Sequence, residues 1–275
     1  MGSHLPELPR LSPEKHRWER SKTNPRVMQR RGLGAEAIVG MKRSNLNGQY
    51  DLYILATLCA VDIPTATALS LSYLKEKLEI ALLAIRFEYP DSACTATWDD
   101  QVPPIIQYES PENDEDALAW AKDAVHVRTT SQTGFDVRTE IEERRQVVGS
   151  DVNPAKAVSI YLVADVMTED TQLSPETTVD MLLHMNHVFW DGISARMFTG
   201  DLLRQLSQRI GATEQKQSKY PWGEEIANLS VPLLDALRID INSLGDQFNI
   251  TSDQYVKALY DNYVSCLFCL ASTSF

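Results

Sequence analysis

The sequence predicts an α+β fold, layered in α/β fashion, with a mixed sheet and flanking helices. Three observations point to it. Strand-like runs occur at 50–61, 157–166 and 177–186, rich in β-branched and aliphatic residues. Apolar residues recur at near-helical spacing over 65–87 and 193–210. The two kinds of segment are interleaved rather than grouped, which favours helices packed on a sheet. With 275 residues, 43% of them apolar, the chain can bury a sizeable core. It divides into a basic leader segment at 1–45, a main subdomain at 46–215, and a linker with the start of a second part at 216–275.

In chain order, residues 1–30 are rich in Pro, Arg and Glu and read as an extended or partly helical leader, with Trp18 and Val27-Met28 available to pin it. Tyr50–Val61 has strand bias and is interrupted by Pro64. Thr65 can cap a helix to about Phe87, with Leu69, Leu71, Leu74, Leu78, Leu82 and Ile85 at a near-helical period and Pro90 beyond its end. Ala93–Trp98 and Ile105–Tyr108 read as short extended pieces. An acidic turn at Glu109–Asp116 leads into a helix over Ala117–Val125. The charged stretch Val137–Val148 fits a helix or an exposed strand. Ala157–Val166 is a strand, Thr168–Pro175 a polar loop, and Thr177–Asn186 a second strand. Ile193–Ile210 is a helix stopped by Gly211. Lys219–Gly223 is a loop, and helices are expected at Val231–Leu244 and Ser252–Phe268.

Composition excludes several function classes. There are 26 Lys+Arg against 38 Asp+Glu, a net charge of −12, which argues against a nucleic-acid surface over the whole chain. The charge is uneven: Arg10–Arg43 holds ten basic and three acidic residues, a local +7 that reads as a solvated arm or an attractor of anions. No apolar run approaches the roughly 18 residues needed to cross a bilayer. The start lacks the apolar core of a signal peptide, and Leu5-Pro6 breaks the myristoylation pattern, so a cytoplasmic location is the expectation. Of the four cysteines, Cys266 and Cys269 form a C-x-x-C with no second pair or nearby histidine, and read as buried thiols. His4, His16 and His126 have no partnered spacing and read as surface residues.

The candidate site is His187-Val188-Phe189-Trp190-Asp191-Gly192, an H-x-x-x-D-G where a strand gives way to an amphipathic helix. An imidazole with a pKa near 6.5 is the side chain best matched to general-base work at neutral pH. Asp191 could orient that imidazole, or turn away and pair with an arginine. Gly192 would permit a turn that a side chain obstructs, and Phe189 and Trp190 would wall the site against water. A structural histidine at a strand end fits the spacing equally well. His184 offers a second imidazole on the opposite face. His184 and His187 diverge on a strand, so no metal is expected.

The run His187–Gly192, followed by Ile193-Ser194-Ala195-Arg196-Met197-Phe198, resembles the CoA-dependent acyltransferase superfamily. That group includes the BAHD enzymes, chloramphenicol acetyltransferase and peptide-synthetase condensation domains. The wording is most similar to the fungal trichothecene 15-O-acetyltransferase type, over roughly residues 50–215. The resemblance implies a chloramphenicol acetyltransferase-like half-domain that acetylates a hydroxyl of a trichothecene-like secondary metabolite. Its partners would be a small-molecule alcohol and acetyl-CoA as co-substrate, with no bound cofactor. His187 would be the general base, and Asp191 a structural residue paired with an arginine. Condensation domains carry two adjacent histidines, whereas Asn186 holds the first position here, which favours the O-acetyltransferase type. Larger members have two similar halves with the substrate channel between them, and this chain matches the first. A homo-oligomer could complete the site, as in trimeric chloramphenicol acetyltransferase. The alternative is a truncated, non-catalytic relic or an interaction protein of the same superfamily.

Overall fold

The structure, a computed structural model, describes residues 13–40, 47–59, 69–99, 104–146, 156–210, 219–236, 238 and 254. The chain divides into two compact units, Met1–Lys15 with Pro232–Phe275, and His16–Val231. The first unit contributes the short helix Leu233–Ala236 to the described residues. Thr65, Cys266, Cys269, His4 and the expected helix at Ser252–Phe268 fall almost wholly outside them.

The unit His16–Val231 is built on two four-stranded sheets. One has the order β1 (Glu19–Arg20), β2 (Val27–Arg31), β5 (Ile105–Glu109), β4 (Thr95–Thr97), all antiparallel. The other has the order β3 (Leu52–Cys59), β8 (Thr178–Met185), β7 (Val158–Ala164), β6 (Val125–Thr129). In this second sheet β6 runs parallel to β7 and the other pairs are antiparallel, so the sheet is mixed. Helices α1 (Ala35–Val39), α2 (Leu71–Glu88), α3 (Asp114–Ala124), α4 (Gly134–Gln146) and α5 (Gly192–Ser207) complete the unit.

The mixed sheet is covered on both faces. On one, Ile160, Leu162, Met181 and Leu183 pack with Leu78, Leu82 and Ile85 of α2 and Phe198 and Leu202 of α5. On the other, Tyr161, Val163 and Leu182 pack with Val137 and Ile141 of α4. Double coverage is why β7 reads as a continuous apolar run rather than an alternating one. On α5 the buried positions Ala195, Phe198, Thr199, Leu202 and Leu206 keep the helical stripe.

Several expectations are revised. Helix α2 starts at Leu71, where the Ser70 side chain accepts from the Tyr73 amide, instead of at Thr65. The open stretch after Val137 is helical, with Val137, Ile141 and Arg145 buried four residues apart. Strand β6 begins where α3 was expected to end. The described part of the arginine-rich stretch, 13–40, is not a free arm. β2 pairs along β5, Arg30 meets Glu36 at 2.6 Å, Arg31 meets Asp99, and Arg26 meets Glu109 at 3.2 Å. His16 is buried with Nδ1 3.0 Å from the Gly32 carbonyl, and His126 stacks on Tyr161, so neither is a plain surface residue.

Candidate active site

Strand β8 is central in its sheet, between β3 and β7, and it sorts its side chains by alternation. Val179, Met181, Leu183 and Met185 enter the core beneath α2 and α5, while Leu182 and His184 face α4. His184 lies opposite Tyr53 on one side and Ser159 on the other.

His184 is held through Nε2 and its ring face. Its Nε2 lies 2.6 Å from Asp51 Oδ2, its ring stacks on Tyr53 with centroids 4.9 Å apart, and it is 7% exposed. Arg145 of α4 donates from Nε to the same carboxylate oxygen at 2.8 Å and from Nη2 to Oδ1 at 3.3 Å. Burial pushes the Asp51 carboxyl up, but hydrogen bonds from His184 and Arg145, with their charges, outweigh it and hold the group below its ordinary value. Gly48 presents Asp51 through a turn, accepting from the Asp51 amide at 3.1 Å. Gly48 has φ +66°, and a Cβ there would lie 2.9 Å from Arg145 Nε, so a side chain is excluded twice over.

The strand ends at Met185 and the chain turns. The Asn186 amide donates to the Ala157 carbonyl at 3.1 Å, and the Asn186 carbonyl accepts from the Phe189 amide at 3.0 Å. Asn186 Oδ1 also accepts from the Val188 amide at 3.0 Å, closing an Asx turn over His187. Trp190 Nε1 returns to the same Ala157 carbonyl at 3.0 Å, and its ring packs on Phe198 at 4.8 Å. Val188 is buried with Ile106 and Tyr108, and Phe189 packs against both larger cores. These aromatic side chains brace the turn from below.

His187, at the tip, is half-buried, and among the described residues its imidazole has no hydrogen-bond partner. Asp191 caps α5, with Oδ1 accepting from the Ile193 amide at 2.9 Å and the Ser194 amide at 2.7 Å. The Ser194 amide, then the Ser194 hydroxyl, the Ile193 amide and the nearby His187 charge, hold the Asp191 carboxyl below its ordinary value against a desolvation cost. Among the described residues no arginine pairs with Asp191; the helix amides take that place. A Cβ on Gly192 would meet nothing within 4 Å among those residues, so steric relief does not explain the glycine. Beside the turn, Ile193 and Met197 lie one helical turn apart and are 73% and 61% exposed.

The arrangement thus separates two imidazoles three residues apart. One is held by the buried Asp51 carboxylate on the α4 face of the sheet. The other is presented on a hydrogen-bonded turn, next to a carboxylate that is occupied by the amides of its own helix.

A family model described as "15-O-acetyltransferase Tri3" matches residues 8–271. The chain belongs to the Tri3 15-O-acetyltransferase family. Within that family it is 64% identical over 264 residues to the trichothecene O-acetyltransferase TRI3 of Trichoderma arundinaceum, covering 96% of this chain and 51% of that one. It is 45% identical over 259 residues to the trichothecene 15-O-acetyltransferase TRI3 of Fusarium sporotrichioides, covering 94% and 50%. The solved structure of TRI3 trichothecene 15-O-acetyltransferase from Fusarium sporotrichioides superposes with a TM-score of 0.84 at 44% identity, covering 93% of this chain and 50% of that one. The chain therefore spans about half the length of the Tri3 relatives it matches. Sequence reasoning missed the roles of Asp51, Arg145 and Ala157. The Val137–Ile141–Arg145 spacing was the available signal for Arg145, whereas nothing local marks Ala157.

Proposed function

We propose that the chain carries the general-base half of an O-acetyltransferase, which moves acetyl from acetyl-CoA to a hydroxyl of a trichothecene-like terpenoid. The observation that carries this reading is the half-buried His187, presented on a braced turn in a chain of the Tri3 family. The His187 imidazole takes the proton of the acceptor hydroxyl as its oxygen attacks the thioester carbonyl. The tetrahedral oxyanion then re-forms the carbonyl and the C–S bond breaks. The proton passes from the imidazolium to the departing sulfur, so an acetate ester and free CoA leave. No covalent acyl-enzyme is needed.

Asp191 is a scaffold in this scheme. Its carboxylate holds the first turn of α5 and thereby the distance between the helix and His187. The apolar strip of Ile193 and Met197 suits the skeleton of a terpenoid acceptor lying beside the imidazole.

The test is acetyl transfer itself. The purified chain is given acetyl-CoA and a trichothecene alcohol, and both the acetate ester and the free thiol are followed. Equal appearance of ester and thiol supports the reading. A folded chain that releases neither favours a non-catalytic member of the family.

A further inference from the structure

We propose that Asn186 is the positioning residue for His187, and that its side-chain carbonyl sets where the imidazole stands; this rests on the reading of His187 as the base. Asn186 is 4% exposed, and among the described residues three hydrogen bonds tie it into the turn. Its amide ties the end of β8 to Ala157, its carbonyl closes the turn on Phe189, and its Oδ1 takes the Val188 amide. The backbone of His187 is thus enclosed by three hydrogen bonds that all pass through one residue. The Trp190 indole fixes the far side of the turn to the same Ala157 carbonyl.

The residue type follows from the geometry. The Val188 amide is buried at the turn and needs an acceptor. A side chain one carbon from the backbone, ending in an sp² oxygen, reaches the amide two residues on; Asn and Asp meet that requirement and Leu, of similar size, does not. Without the acceptor the Val188 amide is left unpaired and the turn under His187 loses one of its three restraints. A base displaced by about 1 Å loses on the order of 10²-fold in rate.

The experiment compares Asn186→Leu, Asn186→Asp and His187→Ala in the full chain. Asn186→Leu should lower kcat about 10- to 100-fold with KM changed less than about twofold, and Asn186→Asp should restore most of kcat. If Asn186→Leu does not fold, Asn186→Ala removes the same acceptor with less volume and carries the comparison. The imidazole signal of His187, assigned in NMR spectra by its loss in His187→Ala, gives a readout independent of turnover. It should be single and sharp in the parent and in Asn186→Asp, and broadened or split in the variant lacking the acceptor. Wild-type kcat together with an unchanged His187 signal in Asn186→Leu would overturn the proposal while leaving the base intact. Full activity in His187→Ala would instead sink the reading of the base, and the NMR comparison would still decide the role of Asn186.

Discussion

His184 donates from Nε2 to Asp51 Oδ2 across 2.6 Å in a buried pocket completed by Arg145. That bond assigns His184 to the scaffold, so the base proposed above is His187. The pair also joins three elements: α4, the entry to β3, and the end of β8. Removing one member strands a buried charge. Arg145→Met is therefore expected to cost about 3–5 kcal/mol in urea unfolding, far more than a surface arginine.

The same cluster sets an acid dependence. The Asp51 carboxyl titrates below its ordinary value of 3.8 in the fold, so the folded state resists its protonation. Its stabilisation is complete above the unfolded value and is lost as pH falls through the folded one. Unfolding free energy should thus decline below about pH 4. Asp51→Asn should be less stable at neutral pH and show a shallower decline. Parallel curves for the two proteins between pH 5 and pH 2 (on the order of the window that linkage gives) would contradict this role.

Asp191 acts through backbone amides, which predicts an order among its substitutions. Asp191→Ala removes the cap and should destabilise by about 1 kcal/mol. Asp191→Asn and Asp191→Ser retain an acceptor and should lie within about 0.5 kcal/mol of the parent. Calorimetry on the three variants checks it; equal losses in all three would point to an ion-pairing role instead.

Trp190 separates packing from hydrogen bonding. Trp190→Phe keeps an aromatic ring against Phe198 but loses the bond to Ala157. The Ala157 carbonyl retains the Asn186 amide, so the expected loss is about 1 kcal/mol, with a fall in kcat as the turn loosens. A stability loss with unchanged kcat would confine Trp190 to the core.

Much of the fold around the proposed site was legible because local patterns carry it. Val158 to Ala164 and Thr178 to Met185 announce buried strands, and the spacing of Phe198, Leu202 and Leu206 announces α5. The H-x-x-x-D-G lies within a single turn and could be read directly. The rest depends on partners far apart in sequence. Asp51 meets Arg145 across 94 residues and His184 across 133, and no local period encodes such pairs. Arg26 just before β2, and Arg30 and Arg31 within it, misled for the same reason: their charge suggests solvent, yet Glu109, Glu36 and Asp99 pair with them in the fold.

The central claim is that His187, not His184, removes the proton. The most direct test measures kcat for acetyl transfer from acetyl-CoA to a trichothecene alcohol in His187→Ala, alongside its Tm. The account predicts a fall of at least about 10²-fold with the parent's Tm, because the half-buried imidazole brings chemistry and little packing. Parent-like turnover in His187→Ala would contradict it.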